Sequence, residues 1–159
     1  MALPRTGIGY DCHAFADGRR LVLGGVEIEH DRGLAGHSDA DVLTHAIIDA
    51  LLGAAALGDI GEHFPDTDER YRGADSLELL RAATGLLGDR GLAIVHVDST
   101  VVIERPALAP HRDRMRSALA EAMGIPAERV SVKATRGEGM GFVGRGEGAA
   151  ALAVATVSA

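Results

Sequence analysis

The run from Leu92 to Glu104 constrains the fold most, because Ile94, Val95, Val97, Thr100, Val101, Val102 and Ile103 crowd β-branched side chains into one stretch. Such side chains lose rotamer freedom in a helix and pack well on a pleated surface, so the run reads as a long strand that needs a sheet around it. Ile8–Phe15, Leu21–Ile28, Arg129–Thr135 and Ala149–Val157 supply further strands. Between them fall three helical segments. The first is capped by Ser38 and runs to about Ala56, with Asp39 and Asp41 at the positive end of its dipole. The second opens at Asp75 or Ser76 and ends near Gly91, and the third runs from His111 to Met123, closed by Gly124. The order β-β-α-α-β-α-β-β predicts an α/β (α+β) domain over residues 1–159, a mixed sheet with helices packed against one face. Gly58–Gly73 is turn-rich, and Gly137–Gly148 reads as a glycine-rich loop.

Composition narrows the function classes. The 159 residues carry 16 Lys and Arg against 23 Asp and Glu, a net charge of −7. That balance lacks the positive field that non-specific nucleic-acid or anionic-membrane binding requires. Aromatic residues are 3% with no Trp, so the core is aliphatic and few rings are available for base stacking. Cys12 is the one cysteine, so no intramolecular disulfide forms. Met1–Gly9 lacks the apolar core of a signal peptide, and Gly148–Val157, the longest apolar stretch, falls short of the roughly 20 residues of a membrane span. A cytoplasmic protein is expected.

Two constellations carry chemistry. On a strand, Asp11 and His13 share a face and Cys12 turns away. On the first helix, Asp41, His45 and Asp49 recur every four residues as a polar stripe opposite Leu43, Ile47, Ala50, Leu51 and Ala54. With that helix beside the first strand, Asp11, His13 and His45 make a carboxylate and two imidazoles, a donor set for Zn²⁺ or a similar transition metal with one position open. Asp49 or Asp59 would then accept the second ring N–H of a ligating histidine. His37 and Ser38, at the expected helix N-terminus, suit a phosphate, although simple capping explains Ser38 equally well. His63, His96 and His111 read as ordinary histidines, and His30 beside Asp31 as a turn residue.

The second constellation is Lys133–Gly148, where glycines admit close backbone approach and Arg136 and Arg145 offer forks for phosphate. Glu138 among them suggests a hard cation such as Mg²⁺. No Walker or Rossmann spacing is present.

Together these segments resemble the 2-C-methyl-D-erythritol 2,4-cyclodiphosphate synthase family of the non-mevalonate isoprenoid pathway. The resemblance rests on Gly9–Phe15, His37–Ala46, Asp49–Gly61, Phe64–Asp68, Gly73–Ser76 and Gly144–Gly148, and it runs nearly end to end. It implies a homotrimer with active sites between neighbouring subunits, and a phosphorus–oxygen lyase. The substrate's own 2-phosphate would attack the β-phosphorus of a cytidine diphosphate group, releasing CMP. By position, Asp11, His13 and His45 would bind Zn²⁺, and Glu138 would hold Mg²⁺ or Mn²⁺. His37 and Ser38 would position the 2-phosphate, while Asp59, Ile60, Gly61, Phe64, Pro65, Asp66, Thr67 and Asp68 would line the methylerythritol pocket. The cytidine part would fall to Ile103, Glu104, Arg105, Pro106, Ala107, Leu108, Ala109, Ala134 and Thr135. Phe142 and Arg145 would face a cavity on the trimer axis able to take an isoprenoid diphosphate.

Two positions depart from the family pattern. Arg136-Gly137 stand where hydroxyl residues are common, so Thr135 and Arg136 become the candidates for stabilising the transition state beside His37. Ala107 stands where a lysine is common. A metal-dependent phosphohydrolase and a nucleotide-binding trimer without catalysis are the competing readings.

Overall fold

The computed structural model describes residues 2–159. Its main sheet has five strands in the order β4-β1-β7-β5-β6: β1 (Arg5–Ala16), β4 (Gly33–Leu34), β5 (Ala93–Val102), β6 (Val130–Thr135) and β7 (Gly148–Ser158). Within it β5 and β6 run parallel and the other pairs antiparallel, so the sheet is mixed, as expected. The helices α1 (Val42–Ala54), α3 (Ser76–Gly88) and α4 (Arg112–Met123) form the second layer, and α1 lies directly on β1 and β7.

That contact is made of very small residues. A Cβ on Gly9 would sit 1.8 Å from the Ala46 carbonyl oxygen, and one on Gly7 would sit 2.1 Å from that of Ala50. On β7, Ala151, Ala153 and Ala155 pair with Asp11, Gly9 and Gly7, and all three are buried. Ala46, Ala50 and Ala54, one turn apart along α1, complete the seam. The helix axis therefore comes closer to the sheet than larger side chains would permit.

Several local expectations are corrected. Leu21–Ile28 is a hairpin, β2 (Leu21–Leu23) and β3 (Val26–Ile28), because Gly24 and Gly25 take φ of 57° and 74° and turn the chain back. The cap of α1 is Asp41 rather than Ser38. The Asp41 carboxylate is fully buried and accepts from the amides of Gly24, Gly25 and Thr44 and from the Thr44 hydroxyl. Burial pushes its pKa up, against the pull of these donors. It binds hairpin to helix, while the Ser38 hydroxyl is engaged by the Ala40 amide and faces His45 Nε2.

The polar stripe of α1 is turned inward too, since the helix lies between the sheet, the hairpin and α3. Each member ties down a different segment: Asp41 the hairpin, His45 the first strand, and Asp49 the Ile60 amide at 2.8 Å. Two short helices escape periodicity, α2 (Ile60–His63) within the turn-rich stretch and α5 (Gly141–Gly144) within the glycine-rich loop. Helix α3 begins at its Asp75 cap as expected but stops at Gly88, and Gly91 turns the chain at φ 68°. Among the described residues no helix is long and apolar enough to cross a membrane.

Gly9→Ala is expected to destabilise the fold by about 3 kcal/mol or more, because backbone rather than a movable side chain blocks the methyl. Urea unfolding measures it; Gly53→Ala, where the nearest atom to a new Cβ is 3.9 Å away, is the control expected to stay within about 1 kcal/mol of wild type.

Candidate metal centre and substrate cavity

The close seam sets His45 against the inward face of β1. His13 Nε2 lies 2.8 Å from Asp11 Oδ2, His45 Nδ1 lies 3.1 Å from the same oxygen, and the two ring nitrogens are 3.4 Å apart. Burial opposes ionisation of Asp11, but hydrogen bonds from His13 and His45 and their charge outweigh it and hold the carboxyl at about 2. Burial likewise opposes charge on His13, and its hydrogen bond to Asp11 prevails, raising the pKa. Three donor atoms thus converge on one point. Two imidazole nitrogens on a tetrahedral Zn²⁺ would stand about 3.3 Å apart at ordinary bond lengths. The donor set fits such an ion, and Asp11, His13 and His45 are the residues that could hold it.

The backing of the ligands differs from the sequence expectation. His13 Nδ1 donates to the Ala35 carbonyl at 2.8 Å, while His45 Nε2 faces Ser76 Oγ at 2.9 Å and Ser38 Oγ at 3.2 Å. Asp49 and Asp59 are engaged elsewhere, the latter capping α2 through the Glu62 amide. Ser76 carried no local signal beyond helix capping.

The ligands open onto a cavity of about 500 Å³ that also takes in His37, Ser38, Ile60, Gly61, Phe64, Pro65 and Asp66. Gly36, Tyr71 and Leu79 join the wall, and nothing in their sequence context singles them out. Asp59, Thr67 and Asp68 stand outside the lining; the Asp68 carbonyl meets His37 Nε2 at 2.9 Å, and its carboxylate pairs with Arg70 at 2.7 Å. The correction to α1 moves His37 and Ser38 off a helix N-terminus, so their fitness for phosphate rests on their side chains.

A second cavity, about 170 Å³, lies between the ends of β5 and β6. Ile103, Glu104, Pro106, Ala107, Leu108, Ala109, Ala134, Thr135 and Arg136 line it, together with Arg112, which no sequence motif marks. Arg112 brings a guanidinium to the cavity whose Ala107 lacks one. The Gly137 amide donates to the Glu104 carboxylate, pinning the loop that carries Arg136 and Glu138, and Glu138 holds φ 53°. Arg105 and Arg145 line a third cavity with Arg32, and Arg145 pairs with Glu147 at 2.8 Å. Phe142 is exposed. The first two cavities share no lining residue; Arg136 lines the second and Glu138 lines neither, so within one chain the ligand cluster shares no cavity with them.

Comparison with known proteins places this geometry. The YgbB family model matches residues 4–158. The chain belongs to that family. It is 59% identical over 153 residues to the 2-C-methyl-D-erythritol 2,4-cyclodiphosphate synthase of Salinibacter ruber, covering 96% of this chain and 98% of that protein. Among solved structures, the bifunctional IspDF of Campylobacter jejuni superposes with a TM-score of 0.96 at 41% identity, over 99% of this chain and 43% of that one. A CDP-bound 2C-methyl-D-erythritol-2,4-cyclodiphosphate synthase superposes with a TM-score of 0.87 at 38% identity, covering 95% of this chain and 98% of the other.

His45→Ala is expected to lower zinc affinity by at least about two orders of magnitude while leaving the far-ultraviolet circular dichroism unchanged. Competition with a chromophoric chelator measures it, and wild-type affinity in the variant would remove His45 from the site.

Proposed function

We propose that the chain converts 4-diphosphocytidyl-2-C-methyl-D-erythritol 2-phosphate to 2-C-methyl-D-erythritol 2,4-cyclodiphosphate, releasing CMP, as a phosphorus–oxygen lyase of non-mevalonate isoprenoid synthesis in the cytoplasm. The observation that carries this reading is the convergence of Asp11, His13 and His45 at the mouth of a cavity, in a chain alike to synthases from end to end. A 2-phosphate oxygen attacks the β-phosphorus, a P–O bond forms there, and the bridge to the α-phosphate breaks. Because the nucleophile belongs to the substrate, the protein needs no Ser, Cys or His nucleophile, and folding the substrate supplies proximity. The 2-phosphate is already ionised near neutral pH, so no general base is required.

The obstacle is repulsion between anionic partners. Asp11, His13 and His45 would hold Zn²⁺ and Glu138 Mg²⁺ or Mn²⁺, cations that neutralise phosphate charge when bound. His37 and Ser38 orient the 2-phosphate, and Ile60–Asp66 wall in the methylerythritol. The cavity between β5 and β6 takes the cytidine, with Thr135 and Arg136 directed to the phosphates and Arg112 supplying the charge that Ala107 lacks. A guanidinium at Arg136 suits developing oxyanion charge at least as well as a hydroxyl.

A homotrimer accounts for the separation of the two cavities, each site taking its metal ligands from one subunit and its nucleotide wall from the next. The sheet face opposite α1 supports this, since Ile8 (72% exposed), Tyr10, Leu152 and Val154 form a contiguous apolar patch across paired strands. A patch of this kind on a sheet marks a contact surface. An isoprenoid diphosphate near Phe142 and Arg145 on the trimer axis belongs to the same proposal.

Phosphorus NMR with the diphosphocytidyl substrate, Zn²⁺ and Mg²⁺ tests the reaction. Cyclic diphosphate and CMP are expected from wild type and not from His45→Ala. A linear product would mean hydrolysis, and intact bound substrate would mean a binding protein. Light scattering tests the assembly: a trimer is expected, with Ile8→Asp shifting it to monomer, and a monomeric wild type would overturn it.

A further inference from the structure

Behind the ligand cluster, Ser76 links His45 to a carboxylate that takes no part in the proposed reaction. His45 Nε2 is 2.9 Å from Ser76 Oγ, and Ser76 is fully buried. The Ser76 hydroxyl donates to Asp39 Oδ1, its amide donates to Asp39 Oδ2 at 3.0 Å, and the Asp41 amide donates to Asp39 Oδ1 at 3.1 Å. Asp39 is thus held from two sides as an acceptor.

The protons can be followed along this chain. A serine hydroxyl has one hydrogen, and an ionised carboxylate only accepts. With its hydrogen committed to Asp39, Ser76 Oγ has lone pairs to offer His45, so the hydrogen between them must come from Nε2. A neutral His45 then keeps its lone pair on Nδ1, which lies 3.1 Å from Asp11 Oδ2 and 3.4 Å from His13 Nε2; only when the ring is charged does a second hydrogen sit on Nδ1 and bond Asp11. Ser38 Oγ lies farther from Nε2, at 3.2 Å, and accepts the Ala40 amide, so it accepts from the same N–H without opposing the assignment.

We propose that Ser76 and Asp39 form a relay that fixes His45 as its Nε2–H tautomer and aims the Nδ1 lone pair at the metal position. Both are positioning residues, since neither touches substrate or ion. Hydrogen-bond partners of this kind hold the ring against rotation and raise the basicity of the ligating nitrogen. The inference rests on the metal-binding role assigned to His45.

Nitrogen-15 NMR of the histidine rings in the metal-free protein, at a pH where His45 is neutral, reads the tautomer directly. The Nε2–H form is expected in wild type, and an Nδ1–H form would overturn the relay. In Ser76→Ala the tautomers should mix and zinc affinity should fall about 10- to 100-fold. Unchanged tautomer and affinity there would also overturn it. Asp39→Asn, which frees the Ser76 hydrogen, is expected to move His45 toward Nδ1–H and serves as the same test should Ser76→Ala fail to fold. Wild type that shows the Nε2–H form but takes up no zinc would support the relay and refute the metal reading, so the two fail separately.

Discussion

The approach of α1 to β1 and β7 is the contact on which the rest of the molecule depends. Gly7 and Gly9 leave no side chain on the strand where Ala46, Ala50 and Ala54 cross it, and the alanines of β7 continue the depression. Two residues further along the strand the glycines end, and Asp11 and His13 stand up on the same inward face, level with His45. A three-residue donor set assembled from two distant segments is therefore a direct product of backbone proximity. Larger residues in the seam would push helix and strand apart, separating the ligands along with the layers that carry them.

Electrostatics then divides the labour along α1. Its buried Asp41 is consumed in holding the hairpin, its Asp49 in holding α2, and its His45 is left for the cavity. The acidic chain concentrates candidate cation ligands at one cavity and the guanidinium groups of Arg112 and Arg136 at another.

Much of this could be read from residue pattern, and the reasons are physical. Asp11 and His13 are two apart on a strand, so their shared face follows from the pleat. The β-branched run before Glu104 could be nothing but a strand. What escaped were effects of tertiary contact. Ser38, Asp39 and Asp41 are all competent caps, and only the buried amides of Gly24 and Gly25 decide for Asp41. Asp49 and Asp59 looked suited to back a histidine, yet Ser76 does so from a helix 31 residues further on, a distance in sequence no spacing rule spans. The short helices α2 and α5 are one turn each, too brief for periodicity. Arg112 lines the cavity as the first residue of α4, directly after the single turn Ala109–His111.

The seam of glycine and alanine has a thermodynamic side as well. Alanine and glycine have no rotamers to lose, so ordering this contact costs no side-chain entropy. The glycines instead carry their cost in backbone freedom, which is lost when the strand forms. The entropy of arranging Asp11, His13 and His45 is thus settled during folding, and the ligands meet whatever enters the cavity already in place.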